Sequence, residues 1–190
     1  MRDESYLTPP EEIDMERAER TIRNTGLLAL GAFAIAGAAA WFVLPLLWRF
    51  PEHLTERLAF GAQASALVLV WVLVGMGMVS TGRRFSRHDI SGSAARPPSE
   101  KLAIQTAFLQ NTLEQAVMAA GAYMAFASLV GGPWLALVVV AVAFFAVGRI
   151  LFLRGYARGV QGRSLGMSLT AIPTMLGYLA VVALIVLSLF

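Results

Sequence analysis

The hydrophobic positions of this chain form long continuous runs that are separated by short polar segments. Five runs are predicted to be helices, and they cover residues 25–48, 58–80, 99–130, 133–157 and 166–190. The first run has 24 residues without a charge, which makes about 36 Å of helix at ~1.5 Å per residue. About 20 apolar residues suffice to cross a bilayer. The runs do not alternate between apolar and polar positions, so the pattern predicts transmembrane helices and not barrel strands.

The composition supports a membrane protein and excludes several kinds of site. Of the 190 residues, 57% are hydrophobic and 14% are charged, as is typical of integral membrane proteins. The chain has no cysteine, and His53 and His88 are too far apart to form a metal-binding pair. The net charge is only +3, and no part of the chain forms a basic domain that would bind nucleic acid. We therefore predict one all-α domain with no metal site and no nucleic-acid partner.

The first 24 residues are polar and carry a net charge of −3, from four arginines and seven acidic residues. The segment Thr8–Glu11 has the form of a capping box with prolines in the first turn, so a helix is predicted to begin there and to continue into the membrane. The competing interpretation of the first run is a cleaved signal peptide. The long acidic leader and the long apolar core favour a retained helix.

The distribution of lysine and arginine predicts the orientation in the membrane. If the N-terminus is cytoplasmic, twelve of these residues lie in inner segments and only Arg49 and Arg57 lie in outer ones. This bias follows the positive-inside rule and places the C-terminus outside after five spans. The two inner connections, 81–100 and 158–165, then share the cytoplasmic face. A compact cysteine-free chain without an organelle signal favours a bacterial inner membrane.

Polar side chains interrupt the third and fourth runs. Asn111 and Glu114 lie three residues apart on one face of the third helix, whereas Arg149, Phe152 and Tyr156 form a stripe on the fourth. An ionisable side chain in a span costs a few kcal/mol or more, so it normally faces a bundle interior or a wet cavity. These residues are therefore the candidates for a functional site.

A structural interpretation of the same residues remains open. Glu114 would pair with Arg149 across two helices, Asn111 would bond a neighbour, and Tyr156 would belong to an interfacial aromatic belt. By the same reasoning, Arg83 and Arg84 are topology determinants and not a catalytic pair. A small transporter is a third hypothesis, but the sequence shows no inverted repeat.

Two segments resemble the MAPEG family, the membrane-associated proteins in eicosanoid and glutathione metabolism. Residues 108–115, Phe-Leu-Gln-Asn-Thr-Leu-Glu-Gln, resemble the second helix of that family. Residues 149–163 resemble its third helix, in which an arginine, an aromatic, a Gly-Tyr pair and a distal arginine recur at this spacing. Phe152 stands where the better-studied enzymes have tyrosine, and Ala107 stands where an arginine is often found. The resemblance covers about 60–190.

The resemblance implies a MAPEG-like four-helix transmembrane domain at 58–190. An additional transmembrane helix with an outer loop (25–57) and a cytoplasmic tail (1–24) would precede it. It also implies a homotrimer that binds glutathione between subunits and uses it as a co-substrate.

The implied activity is that of a transferase or peroxidase acting on a lipophilic electrophile that arrives from the lipid bilayer, and a non-catalytic trimer is the alternative. The implied catalytic residues are Arg83, Arg84 and Arg163, and the implied glutathione-binding residues are Asn111, Glu114, Arg149, Tyr156 and Arg158.

Overall fold

Long helices account for almost all of the architecture. The structure, a computed structural model, describes residues 14–92 and 96–190. Its helices are α1 (Met15–Leu47), α2 (Leu54–Arg84), α3 (Glu100–Leu129), α4 (Ala136–Gly155) and α5 (Gly159–Leu187). Within these described ranges there is no strand, so the predicted all-α helical bundle is confirmed.

Each predicted run corresponds to one long helix, but the helix ends differ from the prediction. α2 continues to Arg84, so Arg83 and Arg84 form its last turn and not part of a loop. The predicted loop 158–165 is wrong, because a 3-10 turn at Tyr156–Arg158 joins α4 directly to α5. Gly159 has a φ of +68°, a conformation that glycine adopts without steric cost. Arg163 therefore lies in the first turns of α5.

The beginning of α1 is set by a side-chain cap. Asp14 accepts a hydrogen bond of 3.0 Å from the backbone N–H of Arg17, which satisfies one of the free donors at the start of a helix. The predicted capping box at Thr8–Glu11 lies outside the described residues.

Three helical stretches in the described part of the chain are long and apolar enough to cross a membrane. They are Met15–Leu47, Leu54–Arg84 and Gly132–Leu187. The third stretch is 56 residues long and contains both α4 and α5, which fold back on each other. α3 has the length of a span, but its amide and acidic side chains between positions 105 and 115 lower its hydropathy. The chain is therefore an integral membrane protein.

Small residues allow α2 and α3 to pack closely. A Cβ atom added to Gly61 would lie 3.1 Å from Ala127 Cβ, and one added to Gly75 would lie 3.1 Å from Leu109 Cδ1. The Ser65 hydroxyl donates to the backbone carbonyl of Ala120 at 3.1 Å. Small side chains at such interfaces let helix backbones approach each other in a membrane.

α4 and α5 form a still closer pair. Gly148 and Gly155 on α4 face Gly162 and Gly166 on α5, and a Cβ added to Gly166 would lie 2.6 Å from the Gly148 carbonyl oxygen. Cβ atoms added to Gly155 or Gly162 would collide with the backbone of the other glycine. The two backbones therefore touch, and this contact fixes the end of α4 relative to the start of α5.

α1 packs on the outer side of the α4–α5 pair. The rings of Phe33 and Phe144 meet edge to face at 5.5 Å, and those of Trp41 and Trp134 meet at 4.1 Å. A Cβ added to Gly37 would lie 3.0 Å from Leu137 Cδ2. These contacts hold the second half of α1 against α4 and the turn before it.

The connection between α2 and α3 is organised by a buried carboxylate. Asp89 accepts hydrogen bonds from the backbone N–H of Ser99 at 2.8 Å, the Ser99 hydroxyl at 2.7 Å and the Ser86 hydroxyl at 2.7 Å. The Ser99 hydroxyl in turn accepts from the backbone N–H of Leu102 at the start of α3. The hydrogen bonds from Ser99 and Ser86 lower the pKa of Asp89 from 3.8 to about 2, because they favour its charged form.

This carboxylate predicts an acid-sensitive connection. Because the folded-state pKa of Asp89 lies below its ordinary value, the ionised group stabilises the protein above about pH 4. That contribution is lost as the pH falls toward 2. Asp89→Asn should lower the unfolding temperature at neutral pH, and the difference from the wild type should shrink on acidification. Glu100→Gln, at an exposed residue in the first turn of α3, is the control. Its carboxylate can interact only weakly with the helix N-terminus, so this variant should change the unfolding temperature far less than Asp89→Asn.

Candidate functional site

A cavity of about 390 Å³ lies between α3, α4 and α5. It is at the end of the bundle that carries Arg83, Arg84, Arg154, Arg158 and Arg163, which we call the basic end. Its polar lining residues are Asn111, Tyr156, Arg163, Ser164 and Ser168, and its apolar ones are Ile22, Ala107, Phe152, Val160 and Met167.

Three predicted site residues meet in this cavity from three different elements. Asn111 comes from α3, Tyr156 from the turn after α4, and Arg163 from α5. The guanidinium carbon of Arg163 lies 4.9 Å from the centroid of the Tyr156 ring, and that ring meets Phe152 edge to face at 5.5 Å. The stacked cation is held in place by the ring and can attract an anionic ligand.

Arg149 lies behind the cavity and is 0% exposed. Its Nη1 donates to Asn111 Oδ1 at 2.8 Å, and its Nη2 donates to Thr170 Oγ1 at 2.6 Å. Its guanidinium also lies over the rings of Phe152 at 4.8 Å and Phe145 at 5.5 Å. Because the Asn111 oxygen is engaged by Arg149, the amide N–H donors of Asn111 remain for a ligand. Arg149 is therefore a positioning residue for Asn111.

The predicted ion pair between Glu114 and Arg149 is wrong. The Arg149 donors bond Asn111 and Thr170 instead, and Glu114 is exposed and accepts a hydrogen bond from Gln110 at 3.3 Å. The expectation that Asn111 bonds a neighbouring side chain is confirmed.

The other predicted residues do not join this cavity within one chain. Glu114 and Arg158 are exposed and do not line it. Arg83 and Arg84 lie at the end of α2, where Arg84 lies 5.7 Å from the Phe85 ring. Gly82 and Phe85 from the same turn border a different cavity of about 630 Å³. The predicted convergence of all these groups on one pocket is therefore not formed by a single chain.

The sequence of this chain matches a known family over its last four helices. The sequence model of the MAPEG family matches residues 58–190. This chain belongs to the MAPEG family. It is therefore a membrane protein of the family of eicosanoid and glutathione metabolism, and α1 lies outside the matched region. No curated protein and no solved structure matches the chain.

Two sequence departures of this MAPEG protein lie in the cavity wall. Ala107 lines the cavity, so an arginine at this position would extend into it. Phe152 is buried between Phe108, Tyr156 and the Arg149 guanidinium, where a ring without a hydroxyl needs no hydrogen-bond partner. Of the described residues that line the cavity, Arg163 is the only cation.

Other lining residues of this MAPEG protein were not singled out from the sequence. Ser164 and Ser168 on α5 line the cavity, and Thr170 bonds Arg149. Ser168 and Thr170 follow Ser164 by four and six residues along an apolar run. This pattern could have indicated them, because such hydroxyls in a span bond either the helix backbone or a neighbour. Ile22 carried no signal, since nothing in its local sequence indicates which helix it contacts.

Proposed function

We propose that this protein is a membrane-embedded, glutathione-dependent transferase or peroxidase that activates the glutathione thiol for attack on lipophilic electrophiles. The observation that carries the proposal is the meeting of Asn111, Tyr156 and Arg163 in one cavity, with Arg149 hydrogen-bonded behind Asn111. Residues distant in sequence thus supply an amide, a phenol and a guanidinium to one small volume at the basic end. Family membership supports the same assignment.

The chemistry follows from the acidity of a thiol. A free thiol has a pKa near 8.5, and only the thiolate is an effective nucleophile. The Arg163 guanidinium would stabilise the thiolate, and a pKa lowering of one to two units corresponds to about 1.4–2.7 kcal/mol. Asn111 and Tyr156 would hold the tripeptide by hydrogen bonds.

The thiolate sulfur would then form a bond to an electrophilic atom of the second substrate. With an alkyl or aryl halide the leaving halide takes the bonding electron pair, whereas with an activated alkene the pair moves onto the adjacent carbon, which is then protonated. With a hydroperoxide the sulfur attacks the terminal oxygen, the O–O bond breaks, and the alcohol leaves after protonation. The sulfenic acid that forms is then attacked by a second glutathione, which releases water and yields the disulfide. Lipophilic substrates would enter from the bilayer.

The assembly in this proposal is a homotrimer. Glu114 is exposed beside exposed Leu113 and Val117 on α3, which is unfavourable for a carboxylate against lipid. A neighbouring subunit would cover this face. It would also bring Glu114, Arg158 or the Arg83–Arg84 pair to the glutathione of an adjacent cavity.

The location in this proposal is a bacterial inner membrane, with a cytoplasmic N-terminus and an external C-terminus. The excess of lysine and arginine at the basic end supports that orientation. Glutathione would then reach the cavity from the cytoplasm.

The test is direct titration of the thiol in the detergent-solubilised protein. Glutathione added to the wild type should give thiolate absorbance in the ultraviolet at a pH about one to two units below that of free glutathione. Arg163→Ala should abolish this signal, and Arg83→Ala and Arg84→Ala should weaken it if the neighbouring subunit contributes. Arg154→Ala, an exposed arginine in the last turn of α4, is the matched control and should retain the full signal.

An absence of binding at millimolar glutathione would overturn the proposal. The remaining function would then be that of a non-catalytic trimer whose polar residues are structural. If Arg163→Ala gave the same signal as the wild type, Arg163 would not stabilise the thiolate, but the rest of the proposal would stand.

A further inference from the structure

The cavity has a wall that the MAPEG-matched region does not supply. Ile22 lies on α1 and lines the cavity together with residues of α3, α4 and α5. The family match begins at residue 58, so α1 is an element added to the matched four-helix region. The shape of this cavity therefore depends on a side chain from outside that region.

α1 packs against α5 beside this cavity. A Cβ added to Gly26, one turn beyond Ile22, would lie 3.9 Å from Ile172 Cδ1, and the Phe33–Phe144 contact holds the helix further along. Ile22 is 53% exposed, so about half of its side chain faces away from the bundle. This combination places Ile22 at the mouth of the cavity, on a helix that is fixed to α4 and α5.

The polar and apolar linings favour different parts of a ligand. Asn111, Tyr156 and Arg163 suit a polar anionic molecule, whereas Ile22 and Met167 offer only apolar surface. The volume of about 390 Å³ is near the lower end of the ~300–1,000 Å³ range of small-molecule sites. A thiol-bearing peptide would fill most of this volume, so each apolar side chain at the mouth should limit the size of the second substrate.

We infer that Ile22 of α1 forms part of the subsite for the apolar portion of the second substrate and sets the size of substrate that it accepts. The inference rests on the proposed glutathione-dependent function. It identifies α1 as a specificity element: the residues of α3, α4 and α5 hold the thiol, and α1 selects the second substrate.

The first test is a comparison of substrates of graded length. The purified full-length protein would conjugate glutathione to a series of 2-alkenals that differ only in chain length. Ile22→Ala should raise kcat/KM for the longest members relative to the shortest by about tenfold, because a few methylenes of pocket space discriminate at this level. Ile22→Trp should shift the preference in the opposite direction. Both variants should keep the wild-type thiolate absorbance.

The matched control is Ile35→Ala, since Ile35 lies on the same helix, is 75% exposed and does not line the cavity. It should leave the chain-length profile unchanged. If the wild type forms thiolate and conjugates alkenals but Ile22 variants keep its profile, the inference is overturned and the proposed function stands. If the wild type forms no thiolate, both are overturned.

A second test reads binding without turnover and exploits the absence of cysteine in the chain. Ile22→Cys introduces a single thiol at the mouth, and Ile35→Cys introduces one at the control position. S-alkylglutathiones, which resemble the conjugate and have no free thiol to react with maleimide, should slow labelling of Ile22→Cys increasingly with alkyl length, and S-methylglutathione should slow it least. Labelling of Ile35→Cys should not change. Equal protection at both positions, or none at Ile22→Cys, would overturn the inference.

Discussion

Replacing Gly166 with alanine should separate α4 from α5 and destabilise the protein by about 1–3 kcal/mol or more. The added Cβ would meet the backbone N of Phe152 and would lie 2.6 Å from the Gly148 carbonyl oxygen and 2.7 Å from Phe152 Cα. Backbone atoms cannot rotate away as a side chain can, so the helices must move apart. The expected result is a clear drop in the thermal unfolding midpoint in detergent.

The same substitution should also weaken the proposed glutathione site. Tyr156 begins the turn after α4 and Arg163 lies on α5, so the stacking of Arg163 on the Tyr156 ring depends on the spacing of the two helices. The thiolate absorbance should therefore fall in Gly166→Ala even at temperatures at which the protein remains folded.

Gly77→Ala is the control for this prediction. Gly77 is an exposed residue within α2, and a Cβ added there meets nothing within 4 Å. Alanine is favoured over glycine in a helix interior by roughly 0.5–1 kcal/mol, so this variant should be as stable as the wild type or slightly more stable. Equal midpoints for Gly166→Ala and Gly77→Ala would contradict the direct backbone contact.

The sequence was sufficient to predict the helices because each apolar run is long and uninterrupted. The turn between α4 and α5 was harder to predict. The segment after Tyr156 contains three glycines up to position 166, which normally indicates a loop. In this chain Gly159 forms the turn and Gly162 and Gly166 allow the two helices to touch, so helix α5 begins about seven residues before the prediction. Local composition could not distinguish a flexible loop from a close helix contact.

The candidate site was predictable in part for a similar reason. Asn111, Tyr156 and Arg163 could be singled out because a polar group in an apolar run is costly against lipid and therefore normally faces a protein interior or a cavity. Which of them meet is a matter of tertiary packing. A carboxylate and a guanidinium in adjacent spans suggest an ion pair, yet Arg149 uses the neutral oxygens of Asn111 and Thr170, and Glu114 is left on the outer face of α3. Helix rotation decides this, and the sequence spacing alone does not determine it.

The buried network around Arg149 leads to the second large effect. Arg149→Met removes the hydrogen bonds to Asn111 and Thr170 and the contacts with two aromatic rings. Hydrogen bonds to charged groups contribute about 1.5–3 kcal/mol each, and relief of the buried charge offsets part of that loss. We expect a net destabilisation of about 2–3 kcal/mol, measured by thermal unfolding. Arg154→Met, an exposed position on the same helix, should have almost no effect.

Arg149→Lys should be only partly tolerated. Lysine keeps the charge, but its compact ammonium group lacks the planar fork that reaches two acceptors and stacks on a ring. The Asn111 amide would then be less well oriented toward the cavity. Glutathione affinity should fall in this variant, and by more than in the Arg154→Met control.

A triple variant separates the structural role of this network from its role in binding. Combining Arg149→Met with Asn111→Leu and Thr170→Val replaces the whole polar cluster with apolar side chains. Replacing a complete buried polar cluster is often neutral or stabilising, whereas removing one member leaves the others unsatisfied. The triple variant should therefore recover most of the stability lost in Arg149→Met but should bind no glutathione. If it bound glutathione like the wild type, Asn111 would have no part in the site; if it stayed as unstable as the single variant, the cluster would be needed for packing itself.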